Sequence, residues 1–119
     1  MSARVLLIED SVLITSALKI LLESHGYDTH VSRTVIDGKQ AITDFAPHVV
    51  LVDLTLPDGD GLEVLKSLPA NSLRPKVLVM TGRDDAAMRA RCSKAGCDGI
   101  LIKPVPIKDL IEAVSGAVA

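Results

Sequence analysis

The chain has 119 residues, 48% hydrophobic and 24% charged, with a formal net charge of −2. That is the length of one domain, expected to span residues 1–119, and it buries roughly two-thirds of its unfolded surface without staples. No run of about 18 apolar residues marks a membrane span, no apolar leader with a cleavage site opens the chain, and no basic face is available for nucleic acid. Aromatic content of 2% leaves out base-stacking platforms and an aromatic-walled flavin pocket. Cys92 and Cys97 are too few for a disulfide framework and have no Cys or His companions for zinc. They read as small thiols in a reducing cytoplasm.

Val5-Leu6-Leu7-Ile8 is a short continuous apolar run, the pattern of a strand buried on both faces. Ser11 caps a helix to residue 24, with Ile14, Leu18 and Leu21 on one face and Gly26 closing it left-handed. Residues 27–31 form a shorter, more polar strand suited to a sheet edge. A second helix covers about 35–45, with Ile42 and Phe45 inward, and Pro47 stops it. Val49-Val50-Leu51-Val52 is another buried strand, ending at Asp53. LTLPDGDG is dense in turn formers, and a helix over about 62–68 follows it.

Val77-Leu78-Val79-Met80 is the next strand, ending at Thr81. A helix from Asp84 to Ala95 is acidic first and basic later, as the helix dipole favours, and Gly96 closes it. Ile100-Leu101-Ile102 is the last strand, ending at Lys103; Pro106 takes the first position of a final helix to about residue 118. Five alternating strand–helix units define an α/β domain: a doubly wound parallel sheet with helices on both faces.

Ligands of open parallel sheets bind beyond the carboxyl ends of the strands. Glu9 and Asp10 stand after the first strand, Asp53 after the third, Thr81 after the fourth and Lys103 after the fifth. If the first and third strands are neighbours, three carboxylates converge and repel one another. A hard cation relieves that repulsion, and Mg2+ suits an all-oxygen set that leaves room for phosphate oxygens. Asp53 is then free to act as a nucleophile that forms an acyl phosphate. Lys103 supplies a compact positive charge and Thr81 a hydroxyl hydrogen bond.

These residues resemble the receiver domain of two-component response regulators, and the likeness covers nearly the whole chain. The motifs that carry it are VLLIED, VVLVDLTLPDGDG, VLVMTGRDD and AGCDGILIKP, in this order and spacing. The resemblance implies the flavodoxin-like receiver fold: five parallel strands in the order 2-1-3-4-5. It implies Asp53 as phosphoacceptor, Glu9 and Asp10 as the Mg2+-binding acids, and Thr55 as a metal ligand through its backbone carbonyl. It further implies Thr81 as switch hydroxyl, Lys103 as phosphate-binding lysine, and a cis Lys103-Pro104 bond. The implied partners are a sensor histidine kinase or a histidine phosphotransfer protein, and a downstream protein or fused output domain. Such a domain catalyses only its own modification and is not a turnover enzyme.

Two departures stand out. Ile100 occupies the switch position where the family usually has Tyr or Phe, so less side-chain volume can follow Thr81 inward. The last helix, PIKDLIEAVSGAVA, has no arginine for the family's arginine–carboxylate dimer contacts; a weak homodimer stays open. Neither Thr55 nor Arg83 is an acid or amide that would position water, so slow self-dephosphorylation is expected. The rival reading is a phosphorylation-independent interaction module of the same fold. The remaining features read as surface: His25, His30 and His48, and the basic face of Arg89, Arg91 and Lys94 on an alanine-rich, loosely anchored helix.

Overall fold

Leu6, Ile8, Val50, Val52, Val77 and Val79 pack into one hydrophobic cluster, while their chain neighbours Val5, Leu7, Val49, Leu51, Leu78 and Met80 pack into another. Successive side chains of a strand point to opposite faces. Two clusters drawn from adjacent residues therefore mean a sheet covered on both sides. The structure, a computed structural model, describes residues 2–119. In chain order it contains β1 (Arg4–Ile8), α1 (Val12–Ser24), β2 (Asp28–Ser32), α2 (Val35–Asp44), β3 (Val49–Asp53), β4 (Thr55–Leu56) and β5 (Gly59–Asp60). A 3-10 helix (Gly61–Ser67), β6 (Lys76–Thr81), α3 (Ala86–Ala95), β7 (Gly99–Ile102) and α4 (Ile107–Val118) complete it.

The main sheet has five strands in the order β2-β1-β3-β6-β7, every neighbouring pair parallel. Counting only these strands, the order is the expected 2-1-3-4-5. Helices α2 and α3 and the 3-10 segment cover one face through Val35, Ile42, Val64, Met88 and Cys92. Helices α1 and α4 cover the other through Leu22, Leu110 and Val114. All apolar residues of β1 and the first four residues of β3 are 0% exposed. Full burial contributes roughly 1.5–3 kcal/mol for each such side chain, so these two central strands dominate the core. Among the described residues, no helix is long and apolar enough to cross a membrane.

Several local expectations need correction. The segment after the acidic turn is a 3-10 helix, and the LTLPDGDG stretch contains an antiparallel hairpin, β4–β5. In α1 Thr15 and Leu22 are the fully buried residues, while Leu18 and Leu21 of the expected stripe pack partly buried against the same cluster as Leu22. Helix α3 starts at Ala86, two residues later than expected, because the Asp85 carboxylate accepts the Met88 N–H at 2.8 Å and caps it. Pro106 is likewise the cap of α4 and not its first residue. Strand β2 begins at Asp28, leaving Tyr27 to pack against the α1 side of the sheet.

Candidate functional site

The alternation that separates the two cores also selects what meets at the carboxyl edge of the sheet. Leu7, Leu51 and Leu101 all belong to the cluster under α1 and α4. Two residues beyond each come Glu9, Asp53 and Lys103. Side chains two apart share a face, so all three leave toward the same side. Thr81 lies two beyond Val79, which packs in the opposite cluster, so it leaves toward α2 and α3.

The three side chains meet. Lys103 Nζ donates to Glu9 Oε1 at 2.9 Å and to Asp53 Oδ2 at 3.0 Å. The second oxygen of each acid is held by backbone: Glu9 Oε2 accepts the Ser11 N–H at 3.1 Å, and Asp53 Oδ1 accepts the Thr55 N–H at 3.2 Å. Glu9 is 1% exposed and Asp53 8%, whereas Asp10 stands in solvent. Glu9, Asp10 and Asp53 each offer an oxygen within 4.8 Å of the others. One ammonium against three carboxylates leaves the pocket short of positive charge.

Burial pushes the Glu9 carboxyl above its ordinary value, outweighing the hydrogen bonds from Lys103 and Ser11, and the Asp53 charge adds to the rise. Burial alone would lower Lys103, but its bonds to Glu9 and Asp53 overcome this and hold the ammonium above the usual lysine range. An all-oxygen, anionic, partly buried set of this kind fits a hard divalent cation such as Mg2+. Glu9, Asp10 and Asp53 are the side chains that would hold it.

Thr81 is 5% exposed, and its Oγ1 accepts the Arg83 N–H at 3.1 Å. The Lys103 N–H donates to the Thr81 carbonyl at 2.8 Å, tying the strand ends of β6 and β7 together. The Lys103–Pro104 bond is cis. Thr55 is exposed, opening the hairpin directly after the acid. Ile100 is half-buried against the cluster that holds Val79 and Met88. The three histidines are exposed, though His48 Nδ1 accepts the Arg4 N–H at 2.9 Å. Arg89 and Arg91 pair with Asp84 and Asp60, so the basic face of α3 is largely neutralised.

Two contributors escaped the sequence reading. A Cβ on Gly61 would run into the Asp53 carbonyl oxygen and stand 2.9 Å from its carbonyl carbon, so only glycine lets the chain pass behind Asp53. Asp58, at the hairpin tip, accepts the Val35 and Ile36 N–H groups at 2.7 and 3.1 Å and so closes the start of α2. The DGDG run was the available signal, but turn composition alone does not reveal what each residue touches.

A five-stranded parallel sheet in this order, with helices on both faces and acids and a lysine gathered at its carboxyl edge, defines the flavodoxin-like class of α/β domain. The chain belongs to the response regulator receiver domain family, whose model matches residues 5–115. It is 33% identical over 116 residues to the transcriptional regulatory protein TrcR of Mycobacterium tuberculosis, covering 95% of this chain and 44% of that protein. It is 31% identical over 109 residues to the photosynthetic apparatus regulatory protein RegA of Rhodobacter capsulatus, covering 92% and 59%. Among solved structures, a CheY-like receiver domain protein from Methanospirillum hungatei superposes with a TM-score of 0.89 at 29% identity, covering 99% of this chain and 94% of that one. A receiver domain from Bermanella marisrubri gives 0.88 at 27% identity, with both chains covered at 100%. The chain spans about half the length of the curated relatives it matches. It is a receiver domain of two-component signalling, a regulatory module rather than an enzyme of the usual kind.

Proposed function

We propose that residues 1–119 act as one phosphorylation switch: Asp53 accepts a phosphoryl group from phosphohistidine on a sensor histidine kinase or histidine phosphotransfer protein. The observation that carries this reading is Lys103 Nζ set between Glu9 Oε1 and Asp53 Oδ2. A carboxylate attacks phosphorus in line; the Asp53 O–P bond forms as the P–N bond to the donor imidazole breaks, and the imidazole takes up a proton from solvent. Glu9, Asp10, Asp53 and the Thr55 carbonyl would hold Mg2+, which when bound neutralises charge on the phosphoryl oxygens. Lys103 turns from its carboxylate partners to a phosphoryl oxygen. Thr81 Oγ1 already accepts from Arg83, so its own hydrogen is free to donate to the product.

Thr81 then draws toward the phosphoryl group, and Ile100 fills the space it leaves, passing the change to the α3 face. Arg83 is held by Asp85 and, like Thr55, is neither an acid nor an amide that would position water, so an acyl phosphate on Asp53 is expected to outlast seconds. The donor docks over an apolar cleft of about 460 Å3 between α1 and α4, lined by Ile14, Leu18, Met80, Pro104 and Leu110. Lys103 lines the same cleft, so a donor seated there reaches Asp53. The output passes to a downstream protein or a fused domain.

The test is intact mass after incubation with a small acyl phosphate, with and without Mg2+, beside Asp53→Asn. A Mg2+-dependent gain of one phosphoryl group, absent from the variant, is the expected result. No gain under any condition overturns the proposal in favour of a phosphate-independent interaction module.

A further inference from the structure

The hairpin that follows Asp53 is held from a helix that contributes no side chain to the acid site. Asp60 faces Thr55 across the β4–β5 pair. Its Oδ1 accepts the Leu62 N–H at 2.9 Å, and its Oδ2 forms an ion pair with Arg91 of α3. Thr55 in turn donates its N–H to Asp53 Oδ1. Four residues thus form a continuous line: Arg91, Asp60, Thr55, Asp53.

Asp58 ties the tip of the same hairpin to α2, but among the described residues Asp60–Arg91 is the ion pair that ties it to α3. The other α3-region arginine pairs, Arg89 with Asp84 and Arg83 with Asp85, stay within that region. Only Met88 and Cys92 of α3 are buried. Between α3 and the 3-10 helix lies a cleft of about 240 Å3, lined by Leu62, Leu65, Ala95 and the Asp60–Arg91 pair itself. Where packing is loose, the charged pair decides the spacing. Asp60 also holds the Arg91 guanidinium above its ordinary range.

We propose that Arg91 is a positioning residue for the acid site: through Asp60 it fixes the hairpin, and with it the Thr55 backbone beside Asp53. This rests on the reading that Thr55 and Asp53 belong to the cation-binding set. It makes α3 and the acid site mechanically reciprocal, since whatever moves α3 pulls on Thr55. A half-exposed pair adds little to global stability, so its loss separates positioning from folding.

The sign of the effect tells positioning from simple charge. Arg91→Gln removes a cation from the neighbourhood of three carboxylates, which by field alone would tighten divalent-cation binding. Lost positioning weakens it instead, by roughly three- to tenfold, at the low end for a supporting group behind a ligand. The experiment is Mg2+ titration by calorimetry on the unphosphorylated protein, with amide exchange at Thr55 and the melting temperature recorded together. Arg91→Gln is expected to weaken Mg2+ binding and speed Thr55 exchange with little change in melting temperature. Arg91→Lys, which keeps the charge, is expected to recover part of both. Unchanged or tighter Mg2+ binding with unchanged Thr55 exchange would overturn the proposal. If the wild-type chain binds no Mg2+, the metal-site reading fails on its own, and Thr55 exchange alone still decides whether Arg91 holds the hairpin.

Discussion

Ninety-four residues separate Glu9 from Lys103, yet Oε1 and Nζ lie 2.9 Å apart. The pair exists because β1 and β7 end at the same edge and share side-chain parity. Its ammonium already fills part of the role of a divalent cation. Lys103→Met should therefore tighten Mg2+ binding on the order of tenfold, as removal of about 1.4 kcal/mol of repulsion in a half-open site implies. The same change should slow phosphoryl acceptance at Asp53, because charge on the transferring group loses its lysine. Calorimetry and intact mass check the two arms, and unchanged Mg2+ affinity would count against the electrostatic account.

Asp58 and Asp85 each contribute to the acid limb of stability. The Val35 N–H, chiefly, holds the Asp58 carboxyl below its ordinary 3.8, and the Met88 N–H does the same for Asp85. A folded value below the unfolded one means stability that is present above the ordinary value and lost as pH falls through the folded one. Asp58→Asn keeps a neutral acceptor but removes this titration. Urea unfolding from roughly pH 5 to pH 2 should show a shallower acid limb in the variant than in the wild type.

Two glycines should answer oppositely to alanine. Gly61→Ala drives a methyl group into the Asp53 carbonyl, and the backbone has to shift; overpacking of this kind costs roughly 1–3 kcal/mol. Gly116 lies within α4, and a Cβ there meets nothing within 4 Å. Gly116→Ala should stabilise by roughly 0.5–1 kcal/mol through helix propensity. Thermal unfolding of both variants checks the contrast, and Mg2+ affinity should fall only in Gly61→Ala.

The cysteines should be slow to react. Cys97 N–H donates to the Cys92 carbonyl at 3.0 Å across the left-handed Gly96, which closes α3 and sets the two thiols side by side. Burial, then the neighbouring Cys92, pushes the Cys97 thiol up to about 12. At pH 8 its thiolate fraction is therefore far below that of an ordinary thiol. Alkylation of Cys97 should accordingly be much slower than for a free thiol, and denaturant should abolish the difference. Fast alkylation of the native protein would contradict this.

Four of the five strands of the main sheet were readable in the sequence because each carries a continuous apolar run that ends abruptly at a polar residue, and β2 was readable as the polar edge strand. The same abruptness made Glu9, Asp53, Thr81 and Lys103 visible as strand-end groups. What could not be read was contact at a distance. Asp58 caps a helix that starts 23 residues earlier, and no local pattern encodes that reach. Gly61 carries an ordinary turn residue's signature, while its necessity comes from the Asp53 backbone behind it. The 3-10 form of 61–67 and the two-residue strands of the hairpin fall below the length at which periodicity discriminates.

Asp53 and Lys103 leave the sheet on the side of α1 and α4, and Thr81 on the side of α2 and α3. Any group attached to Asp53 and touched by Thr81 therefore straddles the sheet edge. A protein that delivers that group over the α1–α4 layer and a protein that senses Thr81 through the α3 layer approach from opposite flanks. On the proposed function the two footprints lie on different layers of the domain, so a writer and a reader of such a mark need not exclude one another.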